Sequence, residues 1–133
     1  MTLSKYLLDS DVMIAYLRDV KETFDFIDSL FNNGEMLGCC SVSVTEVYAG
    51  MKEKERISTE KLIKNLQFFL VDLEIAKMAG DIMRDYRSQG ITLGLTDTTI
   101  AATAIYYDLI LVTYNKKHFP MDELLSISPK DSI

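Results

Sequence analysis

Short apolar runs, each only four to six residues long, punctuate this chain, and a stretch with helical spacing follows each of the first three. The runs Lys5–Leu8, Met36–Ser41, Phe68–Val71 and Leu109–Val112 read as buried strands, and Leu125–Ile127 as a candidate fifth. Between them, the pattern VMIAYLRD turns helical with Ser10 or Asp11 as its N-cap. Thr23–Phe31 sets Phe24, Ile27, Leu30 and Phe31 at helical spacing and closes at Asn33-Gly34. A further helix opens at Ser43-Val44-Thr45-Glu46, and KEKERISTEKLIKNL follows as a solvated amphipathic helix. Glu74–Ser88 gathers Ile75, Met78, Ala79, Ile82 and Tyr86 on one face, whereas Asp97–Tyr107 is apolar nearly all round and reads as a central helix. Strands that alternate with helices demand a mostly parallel sheet with helices on both faces. The 133 residues contain no repeat, low-complexity segment or linker, so a single α/β domain over 1–133 is expected.

Composition narrows the function. Hydrophobic residues make up 48% and charged residues 26%, enough for a full core. A net charge of -6 argues against a protein that coats DNA through a broad basic face. It leaves room for a nucleic-acid enzyme in which a bound cation supplies positive charge locally. No apolar stretch approaches the roughly 20 residues of a membrane span, and MTLSKYLLDSD has no secretory pattern. A soluble cytoplasmic protein without a membrane partner is expected. Cys39 and Cys40 are neighbours in an apolar run, so they point to opposite faces of a strand and read as small buried hydrophobes. One histidine, His118, and no cysteine spacing of the zinc type exclude a histidine-rich metal centre.

In open parallel sheets, ligands bind outside the carboxyl ends of the strands. Asp9 leaves the first strand, Glu46 lies in the first turn after the second, Asp97 opens the central helix, and Asn115 follows the strand LILVT. Each also has a structural reading. Asp9 can be a turn residue, and Glu46 the second half of a Ser43-x-x-Glu46 capping box. Asp97 suits a helix start, Asn115 suits a turn, and His118 before Phe119-Pro120 suits a loop.

Taken together, LLDSDVMI, SVTEVYAG, TDTTIAATA and LVTYNKKHF, in that order, resemble the PIN-domain nucleases, specifically the VapC-like toxins of type II toxin–antitoxin systems. The resemblance covers nearly the whole chain. It implies a PIN-like three-layer α/β domain, with a mostly parallel central sheet of four or five strands. It places Asp9, Glu46 and Asp97 at three acidic positions that hold a divalent metal, and Asn115 at a fourth polar position that is often aspartate. Some relatives carry an acid further along that loop, where this chain has His118, so the second metal site is the one that departs. Asp11 is expected to stand behind the ligands, and Thr113 to orient a carboxylate through its hydroxyl. The resemblance further implies endonucleolytic RNA cleavage leaving a 3′-hydroxyl and a 5′-phosphate, a homodimer, and a cognate antitoxin that lays a tail across the cleft.

An all-oxygen donor set without cysteine favours Mg2+ or Mn2+ over zinc. Such an ion can activate water and offset the charge that builds on phosphorus. Lys116 and Lys117, beside the inferred cleft, are candidates to meet the substrate backbone without reading sequence. Two other readings compete. A receiver-like module would hold Mg2+ on Asp9 and Asp11 and accept a phosphoryl group on Asp72. A PIN-like domain that has lost catalysis and only binds partners is suggested by Asn115.

Overall fold

The computed structural model describes residues 5–131. Lys5–Leu8 forms the central strand, β1, and the chain then builds outward through α1 (Ser10–Leu17), α2 (Lys21–Asn32) and β2 (Met36–Cys40). It continues through α3 (Ser41–Gly50), a 3₁₀ turn at Glu53–Glu55, α4 (Arg56–Lys64) and the edge strand β3 (Gln67–Phe69). Next, α5 (Leu73–Ser88) and α6 (Leu95–Tyr106) lead to β4 (Ile110–Val112), a 3₁₀ turn at Lys116–His118, and β5 (Ser126–Ile127). All strand pairs are parallel, in the order β3-β2-β1-β4-β5. The winding therefore reverses between β1 and β4, and the crevice outside the carboxyl ends of those two strands is where open sheets of this kind take their ligands.

Side chains alternate across this sheet into two apolar layers. Leu7, Cys40 and Leu111 pack with Ile100, Ala101 and Ala104 of α6. Their immediate neighbours Leu8, Cys39 and Val112 pack instead with Val12, Ile27, Val47 and Leu62 of the first four helices. The adjacent cysteines thus sit on opposite faces, both free and fully buried, and burial pushes the Cys39 thiol up to about 12. Residues Thr98 to Ala104 of α6 are all buried, as a helix inside the domain requires. Three of them are threonines, whose hydroxyls donate to carbonyls one turn back, at 2.6 to 2.8 Å. No described helix is long and apolar enough to cross a membrane.

Several local expectations need correction. The N-cap of α1 is Asp9 rather than Ser10 or Asp11, because the Asp9 N–H still donates to Val112 O of β4 at 2.9 Å, which keeps residue 9 extended. Helix α3 starts at Ser41, so Ser43 lies inside the helix, buried and 3.6 Å from Cys40 Sγ. No capping box forms there, and Glu46 is free for another role. Phe24 is exposed and stacks on Tyr16 with ring centroids 5.3 Å apart, while Thr23 and Phe26 fill the core in its place. The strand order also removes the receiver-like reading. That fold runs 2-1-3-4-5, whereas here β2 separates β3 from β1, and Asp72 caps α5 by accepting the Ile75 N–H at 3.0 Å.

Gly38 of β2 has a strict steric reason. A Cβ there would lie 2.5 Å from the Phe69 ring and 2.8 Å from the Gln67 carbonyl oxygen. Gly38→Ala is expected to cost about 1–3 kcal/mol by overpacking. A lower urea midpoint at unchanged slope would show it; an unchanged midpoint would mean that β3 yields freely.

Candidate active site at the ends of β1 and β4

Parallel pairing of Leu8 with Val112 brings the next residues, Asp9 and Thr113, side by side at the strand ends. Asp9 as a residue is only 5% exposed. Its Oδ1 accepts the Ser10 N–H at 2.8 Å and its Oδ2 accepts the Thr113 hydroxyl at 2.8 Å. Thr113 is fully buried, and its oxygen in turn accepts the Asn115 N–H at 3.0 Å. The expectation that Thr113 orients a carboxylate is met. Burial, and then the charge of Asp11, push Asp9 up to about 6, against the downward pull of the Thr113 and Ser10 hydrogen bonds.

Asp11, in the first turn of α1, is held by the same loop. Its Oδ2 accepts the Tyr114 N–H at 3.2 Å and the Asn115 side-chain amide at 2.8 Å. Its Oδ1 is buried and has no hydrogen-bond partner among the described residues. Desolvation raises its pKa despite those bonds, and the charge of Asp97 adds to the rise at both Asp9 and Asp11. The charge of Asp97 therefore reaches both carboxylates at this strand end.

Glu46 reaches it from α3. Its Oε1 accepts the Ser10 hydroxyl at 2.7 Å, one residue beyond Asp9. Asp97, in the first turn of α6 and partly exposed, lies with Oδ2 3.4 Å from His118 Nδ1. The loop reading of His118 is thus incomplete: the 3₁₀ turn Lys116–His118 aims it at Asp97. Asn115 is engaged by Asp11. Lys116 pairs with Asp131 at 3.2 Å, whereas Lys117 lines an open groove of about 460 Å³ together with Asp97, His118, Gly94 and Pro120. Sequence reasoning passed over two supports. Ser10 holds Glu46, and Tyr114, besides its N–H on Asp11, places its hydroxyl against Thr23 and 3.1 Å from Glu22.

The donors are all oxygen, one is buried without a partner, and Asp9 binds its proton far more tightly than usual. That is the chemistry of a site short of positive charge, and it fits a hard divalent cation. In the arrangement seen, no three His, Cys, Asp or Glu side chains among the described residues are gathered closely enough to hold an ion. Glu46 is turned to Ser10 and Asp97 to His118.

Comparison with known proteins bears on this arrangement. The PIN domain model matches residues 6–124. Ribonuclease VapC10 of Mycobacterium tuberculosis is 42% identical over 119 residues, which cover 90% of this chain and 89% of that protein. Ribonuclease VapC19 of the same organism is 34% identical over 115 residues, covering 86% and 92%. Among solved structures, DNA-bound VapBC from Salmonella typhimurium superimposes with a TM-score of 0.82 at 23% identity, covering 96% of this chain and 99% of that one. VapBC2 from Rickettsia felis, bound to a promoter DNA fragment, also gives 0.82, at 19% identity over 93% and 98%.

Proposed function

The chain belongs to the PIN-domain family, and from that premise we propose that it is a metal-dependent endoribonuclease, the toxin of a toxin–antitoxin pair. The observation that carries the reading is the buried Asp9 carboxylate, raised to about 6 beside Asp11 at the point where the sheet reverses. Asp9, Glu46 and Asp97 would hold Mg2+ or Mn2+, with Glu46 leaving Ser10 and Asp97 leaving His118. An ion held there would supply Lewis-acid chemistry, making water a better nucleophile and offsetting charge on the phosphodiester.

The chain's own residues prepare the site. Thr113 fixes one Asp9 oxygen by donating to it, and the Ser10 N–H fixes the other. Tyr114 and Asn115 hold Asp11 from behind, so its charge stays beside Asp9 without drifting. Both relatives described above are named ribonucleases, and both solved neighbours carry the VapBC name. These names support RNA as substrate and an antitoxin as partner. The net charge of -6 suits a basic antitoxin tail. The proposal includes a homodimer of one domain over 1–133, which light scattering would test.

Purified protein is expected to cut labelled single-stranded RNA with Mg2+ or Mn2+, leaving 3′-hydroxyl and 5′-phosphate ends, and to stop when chelator is added. Cleavage that survives exhaustive chelation would overturn the metal's role. RNA that stays intact with every divalent metal would favour the binding-only domain that Asn115 suggests.

A further inference from the structure

Lys116 and Lys117 are chain neighbours, yet the fold separates their surroundings. Lys116 Nζ is drawn to Asp131, 3.2 Å away, and Asp131 is itself fixed by the Ser128 N–H at 2.9 Å. Lys117 instead lines an open groove together with Asp97 and residues 91 to 94. It is the only lysine or arginine among the residues that line this groove. In a chain of net charge -6, a solitary lysine in the groove that also holds Asp97 has a large local effect on a polyanion.

The wall that carries Lys117 is firmly built. The 3₁₀ turn is closed by the His118 N–H on Asn115 O at 2.9 Å and by the Phe119 N–H on Lys116 O at 3.0 Å. Phe119 and Met121 are buried beneath it, and the Tyr86 hydroxyl donates to Pro120 O at 3.2 Å. Lys117 is therefore presented from a fixed turn. The groove's volume of about 460 Å³ suits one small ligand rather than a duplex. Exposed Ile91 and Pro120 offer apolar surface to a base, and the exposed His118 imidazole is the one aromatic ring among the lining side chains.

We propose that this groove seats one nucleotide of single-stranded RNA next to the acidic crevice, with Lys117 on a backbone phosphate and Ile91 and Pro120 against the base. The inference rests on the nuclease reading above and adds the path of the substrate to it. A groove that grips phosphate and only cushions the base discriminates little among sequences at that nucleotide.

The test uses the full chain and a labelled single-stranded RNA of mixed sequence. Anisotropy in chelator measures binding without cleavage, and steady-state kinetics with Mg2+ measure KM and kcat. Lys117→Ala is expected to weaken binding about tenfold, to flatten the logarithmic salt dependence by about 0.7–1, and to raise KM more than it lowers kcat. Lys117→Arg should restore most of the loss, and Lys116→Ala should stay within about twofold of the parent. Equal losses for Lys116→Ala and Lys117→Ala, or a Lys117→Ala protein that binds like the parent, would overturn the groove assignment while leaving the nuclease reading intact. A parent protein that neither binds nor cuts RNA would overturn both.

Discussion

Asp9→Asn is expected to abolish RNA cleavage and, in chelator at neutral pH, to make the folded protein more stable by about 1–2 kcal/mol. The Asp9 carboxyl rises from its ordinary 3.8 to about 6 in the folded state, mainly through burial. Below the unfolded value, both states hold the proton and nothing is lost. As pH rises through the interval from 3.8 to about 6, the unfolded chain releases the proton while the folded chain retains it, so stability falls. Above about 6 the full penalty applies, about 3 kcal/mol at ~1.4 kcal/mol per pH unit.

Asparagine does not titrate and escapes that penalty. It still accepts from the Ser10 N–H, but its amide meets the Thr113 hydroxyl less well, which returns about 1–2 kcal/mol. Urea unfolding of both proteins across about pH 4 to 8 in chelator should show the variant at or below the parent at the acid end, curves that cross as pH rises, and the variant above the parent past about 6. Added Mg2+ should stabilise the parent more than the variant, because only the parent keeps all three carboxylates. Curves that run parallel at every pH would show that Asp9 bears no such burden.

Much of the architecture is legible in the sequence because it depends on short-range pattern. The all-round apolar α6, the strand cores Leu7-Leu8 and Leu111-Val112, and the split of Cys39 from Cys40 follow from periodicity alone. The candidate residues at strand ends were legible for the same reason: parallel order sends Asp9 and Thr113 to one edge. Boundaries were less so. Three consecutive residues, Asp9, Ser10 and Asp11, can all cap a helix, and only the β1–β4 hydrogen bond from Asp9 N–H selects the first. Likewise, Ser43 and Glu46 have capping-box spacing, but the chain turns at Cys40 and carries both inside α3. Pairings set by tertiary approach left no local trace. His118 meets Asp97, and Asn115 meets Asp11, through contacts that depend on how the Lys116–His118 turn is anchored by Phe119.

The second large effect concerns Asn115 for that reason. In a position where, on the proposed nuclease reading, an acid would add a metal ligand, this chain has an amide that donates to Asp11 Oδ2 at 2.8 Å. Asn115→Asp removes the donor and sets a second carboxylate against one that already has a buried, unpartnered oxygen. Loss of the hydrogen bond together with like-charge repulsion at partial burial is expected to cost about 2–4 kcal/mol in chelator at neutral pH. The new pair would take up a proton at higher pH than either acid alone, so the folded form binds that proton more tightly than the unfolded chain does. The loss should therefore shrink as the solution is made acidic. A divalent cation held there, as proposed, would reverse the balance, since charge that burdens the metal-free protein would favour the metal-bound one. Thermal unfolding should show the variant melting several degrees below the parent in chelator, with the gap narrowing or inverting as Mg2+ is titrated. Coincident melting in chelator would mean that Asn115 does not hold Asp11. A gap that Mg2+ leaves unchanged would place residue 115 outside the reach of the ion.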